Sequence, residues 1–298
     1  MIHHEACPLC SGQEISHFLS CIDHFVSKER FDIYQCDKCG FTFTQDYPEE
    51  SDAGRYYDSD DYISHSDAKK GLTDKAYQVI RRIMLCRKKR MIRKITSLSK
   101  GSILDIGSGT GYFLNTMKMA GWNIKGVEIN TKARKFASSH FNIDTIIPEK
   151  IKSIPNNSFD CITLWHVLEH FQEPFKIMEE ISRLLKPDGV CVVALPNISS
   201  LDAEHYGKDW AALDVPRHLW HFSPSTFSIF AGRNSFKISE IHNLPFDVFY
   251  ISILSEKYKG SKLQLLSGTI KGLVFSIRSL FIESKSSSMI YILRKSDY

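Results

Sequence analysis

One short stretch limits the fold more than anything else in the chain: Ile103-Leu104-Asp105-Ile106-Gly107-Ser108-Gly109-Thr110-Gly111-Tyr112-Phe113. The apolar run of Ile103, Leu104 and Ile106 reads as a buried strand, and the glycines read as a tight turn into a helix. Glycine suits a turn where the backbone must come close to a ligand, because a Cβ would stand in the way. Gly107-x-Gly109-x-Gly111 departs from the dinucleotide fingerprint, since its third glycine comes one residue early. No Lys-Ser/Thr pair follows, which disfavours a phosphate-cradling loop. Alone, such a turn is as readily a plain strand–helix connection as a binding site.

The next segments repeat the strand–helix pattern. A helix-like stretch, 112–120, leads to Trp122-Asn123-Ile124-Lys125-Gly126-Val127-Glu128-Ile129, a second strand ending in an acid. Glu128 lies near the roughly 20-residue offset at which doubly wound folds place a ribose-binding carboxylate. Its two acceptor oxygens suit two hydroxyls. Residues 158–165 read as another strand, followed by His166-Val167-Leu168-Glu169-His170. Residues 184–189 read as the close of a helix, and 190–195 as a further strand.

Taken together, Asp-Ile-Gly-Ser-Gly-Thr-Gly, the Glu128 strand end, Asn157–Asp160, His166–His170 and Leu185-Lys186-Pro187-Asp188-Gly189 resemble the successive motifs of class I S-adenosylmethionine-dependent methyltransferases. The branch resembled holds bacterial small-molecule and quinone-pathway enzymes. The resemblance covers about residues 101–197 and loosens toward the C-terminus. It implies a doubly wound, Rossmann-like α/β sheet of seven strands whose last two are antiparallel. Gly107, Gly109 and Gly111 would lie beneath the methionine part of the cofactor, and Glu128 would hold its ribose. Trp165 and His166 would flank the adenosyl or methyl end, with Glu149 near the adenine amine. Asp105, Ser108, Tyr112, Phe113 and Ile129 complete the implied cofactor set.

Cysteine spacing supplies the second signal. Cys7-Pro8-Leu9-Cys10 and Cys36-Asp37-Lys38-Cys39 are two C-x2-C pairs, and four thiolates suit a closed structural zinc site. A redox pair is the alternative, but redox motifs come singly and in a thioredoxin-like context. Cys21, Cys86, Cys161 and Cys191 lack such spacing and read as small buried hydrophobes. No secretory leader pattern or long apolar run stands in the sequence, so the expected location is cytoplasmic and the cysteines should be reduced.

The expected organisation is a zinc ribbon over 1–45, a linker and helix over 46–100, and a methyltransferase domain over 101–298 with a substrate loop at 198–223. The linker is rich in tyrosine (Tyr47, Tyr56, Tyr57, Tyr62), and Thr73 offers a cap for a helix to about Ile95. Arg81, Arg82, Arg87, Lys88, Lys89, Arg90, Arg93 and Lys94 make that helix basic, either as a solvated face or as a site for an anionic partner. The net charge of +4 is too mild to signal nucleic acid.

In the substrate loop, Asp214-Val215-Pro216-Arg217-His218-Leu219-Trp220-His221-Phe222 gathers hydrogen-bonding and aromatic side chains. His218 is the first choice for a general base, with His221 and His166 in reserve; a base is needed only for a hydroxyl or carbon-acid acceptor. The reading is methyl transfer to a small-molecule acceptor. One rival is an rRNA methyltransferase using the ribbon and the basic helix 81–94; another is a non-catalytic cofactor-binding protein. Residues 263–282 read as an apolar helix that covers the active site, makes a dimer contact, or lies at a membrane beside a lipid-linked substrate.

Overall fold

The computed structural model describes residues 1–57 and 72–296, so Tyr62 lies outside the described residues. Strands β1 (Ile15–Ile22), β2 (Arg30–Cys36) and β3 (Thr42–Thr44) form an antiparallel meander. A single turn α1 (Glu50–Ala53) and the long helix α2 (Leu72–Thr96) follow. Strand and helix then alternate: β4 (Ser102–Ile106), α3 (Tyr112–Met119), β5 (Asn123–Val127), α4 (Thr131–Phe141), β6 (Thr145–Ile146) and β7 (Phe159–Trp165). Next come α5 (Pro174–Leu184), β8 (Leu185–Pro196), α6 (Leu201–Tyr206), β9 (Trp220–His221) and α7 (Pro224–Arg233). The chain closes with β10 (Phe236–Asn243), the helical pair α8 (Asp247–Tyr258) and α9 (Gln264–Arg278), and β11 (Ser288–Lys295).

The main sheet has seven strands in the order β10-β11-β8-β7-β4-β5-β6. β4 pairs in parallel with β5 and β7, while β11 runs antiparallel between β8 and β10. This is the doubly wound sheet with an antiparallel last pair that the sequence implied. Its central strands are covered on both faces, which is why they read as continuous apolar runs. Ile103, Leu104, Ile162, Leu164, Val192 and Val193 are all fully buried.

Local chemistry sets the element ends. Asn130 caps α4 by accepting from the Lys132 and Ala133 N–H groups, and Ser223 caps α7 in a box with Thr226. Two expectations shift. α2 is described from Leu72, so Thr73 stands within the helix and not before it. β8 begins at Leu185, five residues before the expected Val190, because Leu185 leaves the helical region and pairs with Phe159. Pro187 favours this by disfavouring helix at Lys186.

The N-terminal meander is not a free-standing appendage. β9, from the loop 198–223, pairs with β3 and completes a four-stranded sheet in the order β1-β2-β3-β9. One apolar cluster runs from Cys7, Leu9, Phe41 and Phe43 through Trp220 and Phe222 to Leu195 and Tyr291 of the main sheet.

A buried ion cluster adds a second tie. Arg217 is 2% exposed; its Nη2 donates to Asp23 Oδ1 at 2.9 Å and to Asp214 Oδ1 at 2.6 Å, and its Nη1 donates to the Tyr56 carbonyl at 2.9 Å. Asp23 is fully buried and also accepts from the backbone of Phe25, Val26 and Ser27. Removing one partner of such a cluster strands the other charges out of water. Asp23→Ala is expected to lower unfolding free energy by about 3–5 kcal/mol, read from urea titrations.

Candidate functional site

The glycine turn sits where β4 gives way to α3. Gly107, Gly109 and Gly111 all have positive φ, at 71°, 54° and 82°. A Cβ on Gly107 would strike Val167 at 2.4 Å, so this glycine serves packing. A Cβ on Gly109 would meet nothing within 4 Å, so this glycine leaves open space beside the turn.

Glu128, at the end of β5, reaches back over that turn. Its Oε2 accepts from the Gly109 N–H and its Oε1 from the Asn130 N–H, both at 2.7 Å. Each oxygen keeps a second lone pair for another donor. Ile129 beside it is exposed, and Glu149 lies exposed in a 3-10 turn, Pro148–Ser153. Ser108 is buried, its hydroxyl without a hydrogen-bond partner among the described residues.

Below the turn, Asp105 is buried and accepts from Thr163 Oγ1 at 2.6 Å. Burial lifts its carboxyl to about 7, against the pull of Thr163 and Lys88. Lys88 projects from α2 over the face of Trp165, with Nζ 3.8 Å from the ring centroid. Burial lowers its ammonium to about 8, with Asp105 and Asp247 opposing. Phe113 meets Trp165 edge-on at 5.6 Å, and the Arg81 guanidinium lies 3.6 Å from the Tyr112 ring centroid. Two cations of the basic helix therefore lie against aromatic rings near the glycine turn, Arg81 on Tyr112 and Lys88 on Trp165.

A second group of side chains follows directly on Trp165. His166 Nε2 donates to Asp247 Oδ2 at 2.8 Å, and its Nδ1 lies 3.6 Å from Glu169 Oε1. Burial opposes its charged form, but the hydrogen bond to Asp247 and the negative charges of Asp247 and Glu169 outweigh that and hold it up to about 10. Glu169 is 1% exposed, and neither carboxylate oxygen accepts a hydrogen bond among the described residues. Burial pushes its carboxyl up, and His166 and the other nearby imidazoles bring it below the usual range.

His218 Nδ1–H donates to the Ala212 carbonyl at 2.8 Å, so in the neutral imidazole Nε2 carries the lone pair. Nε2 lies 4.0 Å from Glu169 Oε1 and 3.9 Å from Asp214 Oδ2. His170 Nδ1–H donates to the Arg217 carbonyl at 3.0 Å, and burial followed by His218 lowers its imidazole to about 4. Ligand atoms of Glu169, His170 and His218 fall within 4.8 Å of one another. His221 behaves differently: its Nε2 meets Thr44 Oγ1 at 3.0 Å, and burial pulls it to about 3. It is a neutral buttress.

The structure thus gathers the glycine turn, Glu128, Trp165, His166 and His218 along adjoining segments. Sequence reasoning passed over Lys88, which lies on Trp165, and missed Asp247, which holds His166. Lys88 was hidden in a basic run, and Asp247 opens a helix whose pattern gives no chemical signal.

At the other end, the four thiols of Cys7, Cys10, Cys36 and Cys39 converge. Sγ–Sγ separations are 3.7 Å for Cys7–Cys39 and 3.6 Å for Cys10–Cys36, and all four cysteines are free. Zinc–sulfur bonds of about 2.3 Å at tetrahedral angles give edges near 3.8 Å. A Cβ on Gly12 would press to 3.3 Å from two of these sulfurs, so glycine keeps the cradle open.

Sheet and site together define a class I S-adenosylmethionine-dependent methyltransferase fold. Residues 78–239 match the family described as a methyltransferase domain, and the chain belongs to it. Among similar sequences is the ubiquinone biosynthesis O-methyltransferase of Cupriavidus pinatubonensis, 24% identical over 166 residues, covering 51% of this chain and 67% of that one. That of Actinobacillus pleuropneumoniae serotype 7 is 35% identical over 109 residues, covering 33% of this chain and 47% of that one. A solved structure, a candidate sarcosine dimethylglycine methyltransferase from Galdieria sulphuraria, superposes with a TM-score of 0.51 at 17% identity. It covers 75% of this chain and 88% of that one, and shows the fold alone.

His166 makes stability depend on pH. Its folded value of about 10 stands above the ordinary 6.5, so its stabilising effect is complete below pH 6.5 and is lost as pH rises through 10. Asp247→Asn should flatten the decline in unfolding free energy between about pH 7 and pH 10, checked by urea titration across that range.

Proposed function

We propose that the protein transfers a methyl group to a small-molecule acceptor whose reacting atom is a hydroxyl oxygen or an acidic carbon. S-adenosylmethionine supplies an already electrophilic methyl, so the protein's work is positioning and proton removal. Gly107, Gly109 and Gly111 with Glu128 would hold it, with Asp105, Ser108, Tyr112, Phe113 and Ile129 around them and Glu149 toward the adenine. The open space at Gly109 and the spare lone pairs of Glu128 support that placement. Trp165, its ring covered on one face by Lys88, would flank the adenosyl or methyl end.

The observation that carries the acceptor side is the tautomer of His218. With Nδ1–H fixed on Ala212, Nε2 offers its lone pair beside a buried carboxylate that accepts no hydrogen bond among the described residues. His218 takes the proton the acceptor loses, and Glu169 stabilises the resulting imidazolium. His166, charged and held by Asp247, balances Glu169 while His218 is neutral. His221 is left with a supporting role by its bond to Thr44.

His218→Ala should lower kcat by about 10²–10⁴-fold while S-adenosylmethionine affinity by calorimetry stays the same. Equal rates for His218→Asn and the parent would overturn the base assignment. For the cofactor side, Gly109→Val should abolish S-adenosylmethionine binding with circular dichroism retained; unchanged affinity would count against the pocket.

Cys7, Cys10, Cys36 and Cys39 are proposed to hold one structural zinc ion per chain. The metal clamps the turns flanking β1 and β2, whose sheet continues through β3 into β9. Chelation should therefore raise the acceptor KM more than the cofactor KM, because Thr44 of β3 holds the His218 carbonyl at 2.8 Å. Elemental analysis that finds no zinc would refute the site.

A further inference from the structure

Helix α9 packs on α8 through its smallest residues. A Cβ on Gly268 would come within 2.5 Å of the Ile253 backbone, and one on Gly272 within 3.0 Å of Phe249. The two helices therefore lie in close contact, and α9 turns its opposite side outward. At about 100° per residue, Leu266, Ile270, Leu273, Val274 and Ile277 fall on that outer arc. All five are exposed, and Phe281, just beyond the helix, is 84% exposed.

Charge is distributed with the same regularity. Between residues 257 and 282 stand Lys257, Lys259, Lys262, Lys271 and Arg278, with no Asp or Glu. Helical spacing sets Lys271 and Arg278 on one flank of the apolar arc, and Lys262 stands in the turn just before the helix. Lys271 is bonded to Glu256 of α8 at 2.7 Å, while Lys262 and Arg278 are exposed. A helix with an apolar face, a cationic flank and no anions matches an interfacial segment. At 15 residues α9 is too short to span a bilayer, and no helix among the described residues is long and apolar enough to do so.

We infer that α9 docks the protein on an anionic lipid bilayer, with its apolar arc among the acyl chains and Lys262 and Arg278 at the headgroup phosphates. A second copy of the chain fits this face less well, because two-fold pairing would set these cations against their own images without a carboxylate between residues 257 and 282 to offset them. The face does not depend on the identity of the methyl acceptor.

The test uses the intact protein with two kinds of extruded vesicle, phosphatidylcholine alone and phosphatidylcholine mixed with phosphatidylglycerol. Sedimentation should carry the protein down with the mixed vesicles, and binding should weaken as salt is raised. Ile270→Ser combined with Leu273→Ser should weaken binding about tenfold or more, and Lys262→Gln with Arg278→Gln about fivefold per cation removed. Unchanged melting temperatures in both variants separate lost docking from lost folding. Two results would overturn the inference: no binding to the mixed vesicles, or a dimer in sedimentation equilibrium that Ile270→Glu dissociates in a protein that ignores vesicles.

Discussion

The Arg217 guanidinium, buried among Asp23, Asp214 and the Tyr56 carbonyl, is the interaction on which the placement of the 214–222 loop rests. Desolvating three charges is expensive, and the attraction among them repays that only while all are in place. The cluster is therefore weak evidence for stability and strong evidence for specificity of position. Asp23 comes from the N-terminal meander, Tyr56 from the segment after it, and Asp214 from the loop that carries His218. One side chain thus fixes the relative placement of three segments distant in sequence. Two further bonds hold the same loop: the Leu219 N–H donates to the Glu169 carbonyl at 2.9 Å, and Trp220 Nε1 donates to the Phe171 carbonyl at 2.6 Å.

That placement explains why the site can alternate charges. From Asp247 through His166 and Glu169 to His218, acids and imidazoles alternate, with Asp247 and His166 partly exposed and Glu169 and His218 buried. A buried carboxylate without a protonated neighbour would rise in pKa and neutralise. Held beside the charged His166, it keeps its negative charge 4.0 Å from His218 Nε2. The folded arrangement does in advance what solvent would otherwise have to reorganise.

The main sheet was legible because its strands are buried on both faces and punctuated by glycine and proline. The Glu128 strand end and the glycine turn could be located for the same reason: their chemistry is local to a few consecutive residues. The start of β8 was not legible, since Leu185-Lys186-Pro187-Asp188-Gly189 has the composition of a helix end, and only the pairing of Leu185 with Phe159 makes it strand. Asp247 was invisible for a different reason. Its role depends on a contact with His166, 81 residues away, that no periodicity encodes. The convergence of Cys7, Cys10, Cys36 and Cys39 was legible as cysteine spacing, but the joining of the N-terminal meander to the 214–222 loop through β3 and β9 rests on a two-residue pairing below the resolution of pattern reading.

The helical pair between β10 and β11 shows how the sheet edge accepts additions. β10 and β11 are antiparallel, so a hairpin turn of a few residues would suffice to join them. The chain instead spends residues 244–287 there, and the sheet register is kept, with Asn243 opposite Met289. Such an insertion costs little closure entropy once its ends are fixed by the ladder. Its first helix begins at Asp247, inside the charge chain, and its second offers the apolar arc of α9 to the exterior. The glycine contacts that press α9 onto α8 leave little room for sliding between the helices. The exterior helix is thus packed rigidly on the helix that opens at the site, with no contact with the cofactor turn required.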